Sequence, residues 1–333
     1  MTKRELSLSI ILPLFNASED IDALFTCLSR QVSIDKASME IIIVNDGSTD
    51  TTMQVVENSR NLLSGFFKIN IVEHSSNIGL AKTRLDGAKS AKGKYLTFID
   101  KKCRPDNDYL ISFINKNRNI VIGNPYINKS RSLWARVLTL IRKRIYYPYF
   151  NHPFDDIILD HAAYKKFKNK GGGGSMYVLR TYYLRVAKNM PTGKHVNDDS
   201  LFIEQLSKIE PILKTSSAKI EYLNRSGFTE NIIHLYGRGP KFVDFYAKPG
   251  RRFFIPIVVL IVFMVINIAF LFLLPKIVLY ELLIFIVLVA CVSLYLSENY
   301  LDFLVSVILL PIALVAFSCG TLKGLLLKAF RLY

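Results

Sequence analysis

Residues 41–52 read IIIVNDGSTDTT. Four β-branched residues in succession suit a strand buried on both faces, and the polar NDGSTD that follows supplies turn formers and a helix N-cap. The same alternation repeats outward from this stretch. Residues 8–14, 40–44, 68–73 and 95–100 are short β-branched runs, while 21–29, 51–63 and 80–91 carry apolar residues at helical spacing. Alternating strand and helix predicts an α/β fold, a mostly parallel sheet with helices on both faces. Ligands of such sheets sit at the C-terminal ends of the strands, where the polar turns 13–16, 45–50 and 100–106 fall.

The remainder of the chain has a different composition. Of 333 residues, half are hydrophobic, and the excess lies after residue 250. Residues 254–274 and 277–296 each reach the roughly 20 apolar residues needed to cross a bilayer, and 301–320 does so with Pro311 in its middle. The expected organisation is a cytoplasmic α/β domain over 1–250 and a membrane domain over 251–333. Lys248, Arg251 and Arg252 mark the cytoplasmic side of the first span. Three full crossings would place Lys323, Lys328 and Arg331 on the far side, against the positive-inside tendency; a re-entrant third segment around Pro311 is the alternative.

The formal net charge is +16, and only six of the 43 Lys and Arg residues follow residue 250, so the excess sits on the first domain. Such a surface favours anionic lipid or phosphorylated ligands, and no nucleic-acid recognition motif accompanies it. Residues 130–147 place Leu133, Trp134, Val137, Leu140 and Ile141 near one helical face with Arg136, Arg142, Lys143 and Arg144 around it. This reads either as an amphipathic helix on the domain or as one lying on anionic lipid. Cys27, Cys103, Cys291 and Cys319 show no CxxC spacing and read as buried thiols in a reducing compartment. The short apolar stretch near the N-terminus reads as a strand and not as a signal peptide.

Several motifs stand in a telling order: SIILPLFN at 9–16, NDGSTD at 45–50, NIGLAKTR at 77–84, YLTFIDKKCRPDNDYL at 95–110, GGGGSMYVLR at 171–180 and NDDSLFIEQL at 197–206. Together they resemble the family 2 glycosyltransferases with a GT-A fold, over about residues 7–240. The resemblance implies transfer of a sugar from a nucleotide-diphosphate donor, with inversion. Pro13, Phe15 and Asp46 match positions that hold the nucleotide base, and Arg84 matches an arginine facing the nucleotide. Asp100 matches the first acid of an Asp-x-Asp motif that binds ribose and a divalent cation, Mg²⁺ or Mn²⁺.

Here the second acid is Lys102. Two readings stay open: Lys102 itself supplies positive charge to the leaving diphosphate, or metal binding and catalysis are lost. Gly173, Gly174 and Ser175 match the glycine-rich loop ahead of the acceptor, where backbone N–H groups approach a diphosphate or sugar closely. Asp198 and Asp199 match a pair of acids whose second member is the general base. Arg238, in YGRG at 236–239, is a candidate contact for a diphosphate or lipid phosphate. The Gln-x-x-Arg-Trp form of processive synthases does not occur, so the resemblance implies transfer of one sugar, in polysaccharide biosynthesis at the inner membrane. The membrane segments suggest a lipid-linked glycan acceptor. The alternative, motivated by Lys102, is a non-catalytic nucleotide-sugar-binding membrane subunit.

Overall fold

The computed structural model describes residues 6–127, 132–167, 174–190, 199–247, 250, 255, 259 and 275–330. Contacts divide the chain into two units, Met1–Asn128 with Tyr146–Asn224, and Lys129–Ile145 with Arg225–Tyr333.

The first unit is built on one sheet. Its parallel half comprises β1 (Leu8–Leu14), β2 (Met39–Asn45), β3 (Lys68–Glu73) and β4 (Tyr95–Phe98), in the order β3-β2-β1-β4. These are the strands expected from the sequence, within two residues at each end. Every residue of β1 and β2 is buried, because helices cover both faces. Ile10, Leu12, Ile41 and Ile43 meet α1 (Ile21–Ser29), α2 (Thr52–Ser59) and α3 (Asn61–Ser64) on one side. Ile11, Ile42 and Val44 point the other way, into the core formed with α4 (Leu80–Ser90), α8 (Arg180–Ala187) and α9 (Ser200–Leu206). Each such side chain contributes roughly 1.5–3 kcal/mol by leaving water, which is what fixes the register of the strands.

Beyond β4 the sheet changes direction. β8 (Met176–Leu179) runs antiparallel between β4 and β6 (Ile120–Tyr126), and β9 (Ile212–Tyr222) lies parallel to β6. β5 (Cys103–Pro105) and β7 (Ile157–Leu159) pair antiparallel with β9; α5 (Tyr109–Ile114) and α7 (His161–Lys166) complete the unit. The insertion of β8 places the residues just before it, 174 and 175, beside the end of β4.

The second unit is helical: α6 (Leu133–Ile145), α10 (Phe228–Tyr246), α11 (Pro275–Leu296) and α12 (Tyr300–Ala329). α11 and α12 are long and apolar enough to cross a membrane by length and composition. The apolar run 260–274 lies outside the described residues. α12 continues without interruption through Pro311, so the third apolar segment is one helix of 30 residues, about 45 Å at 1.5 Å per residue. The amphipathic α6 packs within this unit: Val137 and Leu140 meet Leu296, Val305 and Leu310. Its cations meet the α11–α12 connection, Lys143 Nζ lying 2.9 Å from Glu298 and Arg136 pairing with Asp302. Asp302 is 1% exposed, and its own backbone N–H is capped by Asn299 at 3.0 Å. α10 and α12 meet backbone to backbone where Gly239 faces Gly320.

Candidate active site

The C-terminal ends of β1, β2 and β4 are tied together by their own loops. After β1, Phe15 is left 38% exposed and Asn16 takes a left-handed conformation (φ 47°). The Asn16 N–H donates to Ser48 Oγ at 3.1 Å and its side-chain Oδ1 accepts from Thr49 N at 2.9 Å, joining the β1 and β2 loops. From the end of β4, Lys101 Nζ donates to the carbonyl of Phe15 at 2.6 Å and to that of Asn16. Pro13 is buried within β1, paired in register with Val44.

After β2, Asp46 turns toward the approach to α4. Its Oδ1 accepts from Ile78 N at 2.9 Å and faces His74 Nδ1 at 3.0 Å, and its Oδ2 accepts from Gly79 N at 3.0 Å. Burial raises the pKa of this carboxyl, but the hydrogen bonds from Ile78, His74 and Gly79 outweigh it and leave the group below its ordinary value. Gly47 follows at φ +66°, where a Cβ would collide with the backbone of Ser76 at 2.4 Å; only glycine closes this turn. Asp50 holds the start of α2, accepting from Thr52 N at 3.0 Å and from Ser18 Oγ at 2.8 Å.

The turn set by Asp46 aims α4 so that Arg84 reaches across the strand ends. Arg84 is almost fully buried; its Nη2 donates to Asp100 Oδ1 at 2.8 Å and its Nη1 to Asp199 Oδ1 at 3.1 Å. One guanidinium thus joins the acid at the end of β4 to the acid at the N-cap of α9, 16 and 115 residues from it in sequence. Gly174 lies against the same acid, since a side chain there would meet Asp100 Oδ2 at 2.9 Å. Ser175 is anchored below it: its Oγ accepts from Tyr109 OH at 3.1 Å, and its carbonyl accepts from Gly123 N at 2.8 Å.

Other expected residues lie elsewhere. Lys102 Nζ is 3.3 Å from Asp20 Oδ2, and Arg104 shares the same carboxylate at 3.1 Å. Arg238 is exposed on α10 in the second unit, and Gly173 and Asp198 fall outside the described residues. The neighbours of Arg238 are themselves cationic. Burial and then the charges of Arg225, Arg238, Arg142 and Lys241 lower the pKa of His234 to about 2, marking a cluster of positive charge on α6, α10 and the segment that leads into α10.

Sequence reasoning passed over Lys101, which ties the β1 and β4 loops, because attention fell on the acid-replacing Lys102 next to it. It also passed over His74, which stands between Asp46 and Asp86 at 3.0 and 3.4 Å. Lys101 lies within the motif at 95–110 without a role of its own in it, and His74 lies in none of the quoted motifs.

A divalent cation would find one carboxylate at the end of β4, Asp100, already bonded to Arg84. Among the described residues no group of three or more His, Cys, Asp or Glu stands ready to hold a metal ion. These side chains do not by themselves make a metal site; a cation here would take most of its ligands from the substrate's phosphate oxygens and water.

The model of "Glycosyl transferase family 2" matches residues 9–177. An uncharacterized glycosyltransferase, YibD of Escherichia coli (strain K12), is 33% identical over 93 residues, 28% of this chain and 25% of that protein. The poly(ribitol-phosphate) beta-N-acetylglucosaminyltransferase TarS of Staphylococcus aureus (strain Mu50) is 36% identical over 92 residues, 28% of this chain and 15% of TarS. The aligned stretch therefore spans a quarter or less of these relatives. Among solved structures, S. aureus TarS 1-349 in complex with UDP-GlcNAc superposes with a TM-score of 0.51 at 16% identity, covering 72% of this chain and 67% of that one. The mannosyltransferase PcManGT from Pyrobaculum calidifontis, in complex with GDP-Man and Mn²⁺, also gives 0.51, at 15% identity over 73% of this chain and 63% of its own. These likenesses are of fold, the GT-A fold that the motifs implied.

Proposed function

The chain belongs to glycosyl transferase family 2, and from that premise we propose that it moves one sugar, with inversion, from a nucleotide-diphosphate donor to a lipid-linked glycan at the membrane. The observation that carries this reading is the Arg84 bridge between Asp100 and Asp199. A sugar transferase needs a cation where the diphosphate departs and a base where the acceptor hydroxyl arrives, and one side chain here holds both places together.

The residues divide the work as follows. Phe15 offers an exposed aromatic face to the nucleotide base, beside Pro13 at the end of β1. Asp46 acts through the turn it holds, which aims Arg84. Asp100 lies where the ribose and diphosphate approach, with Gly174 leaving room above it. Asp199 takes the proton from the acceptor hydroxyl as its oxygen attacks the anomeric carbon; the bond from that carbon to the diphosphate oxygen breaks, and the electron pair leaves with the nucleoside diphosphate. Arg84 receives the developing charge, so diphosphate binding and the Asp199 ion pair compete for one guanidinium. Lys102 joins this only by leaving Asp20, which Arg104 would then neutralise alone.

The acceptor reading rests on the second unit. Two apolar helices suited to a bilayer stand with a cationic cluster of Arg142, Arg225, Arg238 and Lys241 around His234, which suits a lipid phosphate or an anionic headgroup. In this reading catalysis, within residues 1–250, takes place on the cytoplasmic face of the inner membrane, with 251–333 as the anchor. Tethering concentrates a lipid-borne acceptor near the base.

The test is nucleoside-diphosphate release by the full chain in detergent, with a panel of nucleotide sugars and a lipid-glycan extract, with Mg²⁺, Mn²⁺ or EDTA. Acceptor-dependent release, and a product whose anomeric configuration is opposite to the donor's, is the expected result. Persistence in EDTA would assign the charge-stabilising role to Arg84 and the lysines. Nucleotide binding without release under any condition would favour the non-catalytic subunit, the reading that Lys102 motivates.

A further inference from the structure

A cleft of about 400 Å³ opens in the first unit, lined among others by Asp106, Asn124, Tyr126, His152, Ser216 and Lys219. None of these belongs to the set of residues described above. Sheet register places the cleft with respect to the reacting centre. Phe98 of β4 and Ile122 of β6 share one partner, Met176 of β8. Two residues beyond these come Asp100, past the end of β4, and Asn124, past an irregularity in β6, on either side of the Gly174 end of β8. Two strand spacings, roughly 10 Å, therefore separate them.

The chemistry of the lining is specific. Asn124 is 5% exposed, yet its Oδ1 has no hydrogen-bond partner among the described residues. A buried carbonyl without a donor is unfavourable, and a ligand hydroxyl entering the cleft would supply one. Asp106 accepts at Oδ1 from Tyr126 OH at 2.8 Å, and Ser216 Oγ donates to the carbonyl of Phe154 at 2.6 Å, so the Ser216 oxygen faces a ligand as an acceptor. Burial and the Asp106 carboxylate push the Tyr126 phenol up, keeping it a donor to that acid. Lys219 and the His152 ring add donors. The wall is braced by Asn151, whose amide bonds Ile127 N at 2.9 Å and Ile127 O at 2.8 Å.

Both donors and acceptors line the cleft, one acceptor is a carboxylate, and an aromatic ring lies among them. An inorganic or lipid phosphate, all acceptor and negative, would face Asp106 and leave Asn124 Oδ1 unsatisfied. A neutral sugar ring satisfies both sides: its hydroxyls donate to Asn124, Asp106 and Ser216, accept from Lys219, and its C–H face lies on Tyr126. We propose that this cleft is an acceptor subsite that holds a neutral sugar ring of the acceptor glycan, set back from the hydroxyl that receives the new sugar. The inference rests on the transferase reading above and adds to it that the acceptor is an oligosaccharide with at least one sugar behind the reacting unit.

The test is isothermal titration of the full chain in detergent with chitotetraose and cellotetraose, and separately with UDP and GDP. Wild type is expected to bind a tetramer, and Asn124→Leu and His152→Ala each to weaken it by about tenfold with nucleotide affinity unchanged, which also reports an intact fold. Binding of neither tetramer, or equal binding by wild type and both variants, overturns the proposal. So does tight binding of inorganic phosphate that Lys219→Ala abolishes. The tetramer titrations need no donor, so failure of wild type to bind either nucleotide would count against the donor reading and leave the cleft standing.

Discussion

β2 and α11 both carry isoleucine and valine at their centres and live in opposite surroundings. Ile42, in the middle of β2, is wholly buried between two helical layers, whereas Ile284, in the middle of α11, is 60% exposed, as are most of its apolar neighbours. The apolar side chains of β2 find their cover inside the protein; most of those of α11 find none among the described residues and suit a non-aqueous solvent. Burial is a property of sequence and surroundings together, and the same isoleucine is core in one unit and solvent-facing surface in the other.

The most damaging way to probe this contrast is to put one charge in each place. Ile42→Asp should cost about 4 kcal/mol or more and leave no folded sheet, read by near-UV circular dichroism and limited proteolysis of the full chain in detergent. Ile284→Asp should leave that signal intact and cost about 3 kcal/mol of membrane partitioning instead, read by flotation with liposomes. If Ile284→Asp collapsed the sheet signal as well, α11 would be protein core and the contrast would fail.

A second probe asks whether polar groups follow the same division. Asp302 is a buried carboxylate at the base of the apolar hairpin, held by Arg136. Asp302→Leu strands that arginine and should cost about 2 kcal/mol of thermal stability, while Asp302→Leu combined with Arg136→Met should recover most of it. Equal loss in both variants would mean that the pair does not organise the turn.

Lys214 is the corresponding oddity in the sheet. It is buried on β9 with Nζ donating to the carbonyl of Gly123 at 2.9 Å, and burial lowers its pKa to about 7. Its folded value lies below its unfolded one, so the unfolded chain binds the proton first: stability falls as pH drops from about 10.5 to about 7 and levels off below. Lys214→Met should remove that fall, seen as a urea midpoint that no longer rises between pH 7 and pH 9. A slope that survived would assign it to other groups.

The smallest expected effect is at Asp50. Burial raises its pKa, but hydrogen bonds from Thr52 and Ser18 bring it down to about 2. This contribution is present above the unfolded carboxyl value of 3.8 and is lost as pH falls toward 2. Asp50→Asn should flatten the acid limb of the unfolding curve slightly, and an unchanged limb would show that the loop does not depend on this charge.

Much of the parallel half was legible in the sequence, for a physical reason. A strand covered on both faces must be apolar throughout, so β1 and β2 stand out as runs, and the turns between strand and helix need Asn, Asp and Gly. The rest depended on pairings that are distant in sequence. Nothing near residue 176 says that β8 will insert between β4 and β6, yet that insertion brings Gly174 to Asp100. The amphipathic pattern of α6 was clear, but its partners, Leu296 and Val305, lie more than 150 residues away. At the site, motif reading identified Arg84, Asp100 and Asp199 but not that one guanidinium joins them. It read Asp46 as a nucleotide contact but not that its oxygens also hold the turn before α4.

The account turns on Asp199 as the group that takes the acceptor's proton. The direct measurement is acceptor-dependent nucleoside-diphosphate release by wild type and Asp199→Asn, alongside nucleotide affinity for each. A loss of at least about a hundredfold in release, with affinity unchanged or improved because Arg84 then pairs with one carboxylate, Asp100, instead of two, is the predicted result. Release at near wild-type rate from Asp199→Asn would contradict it.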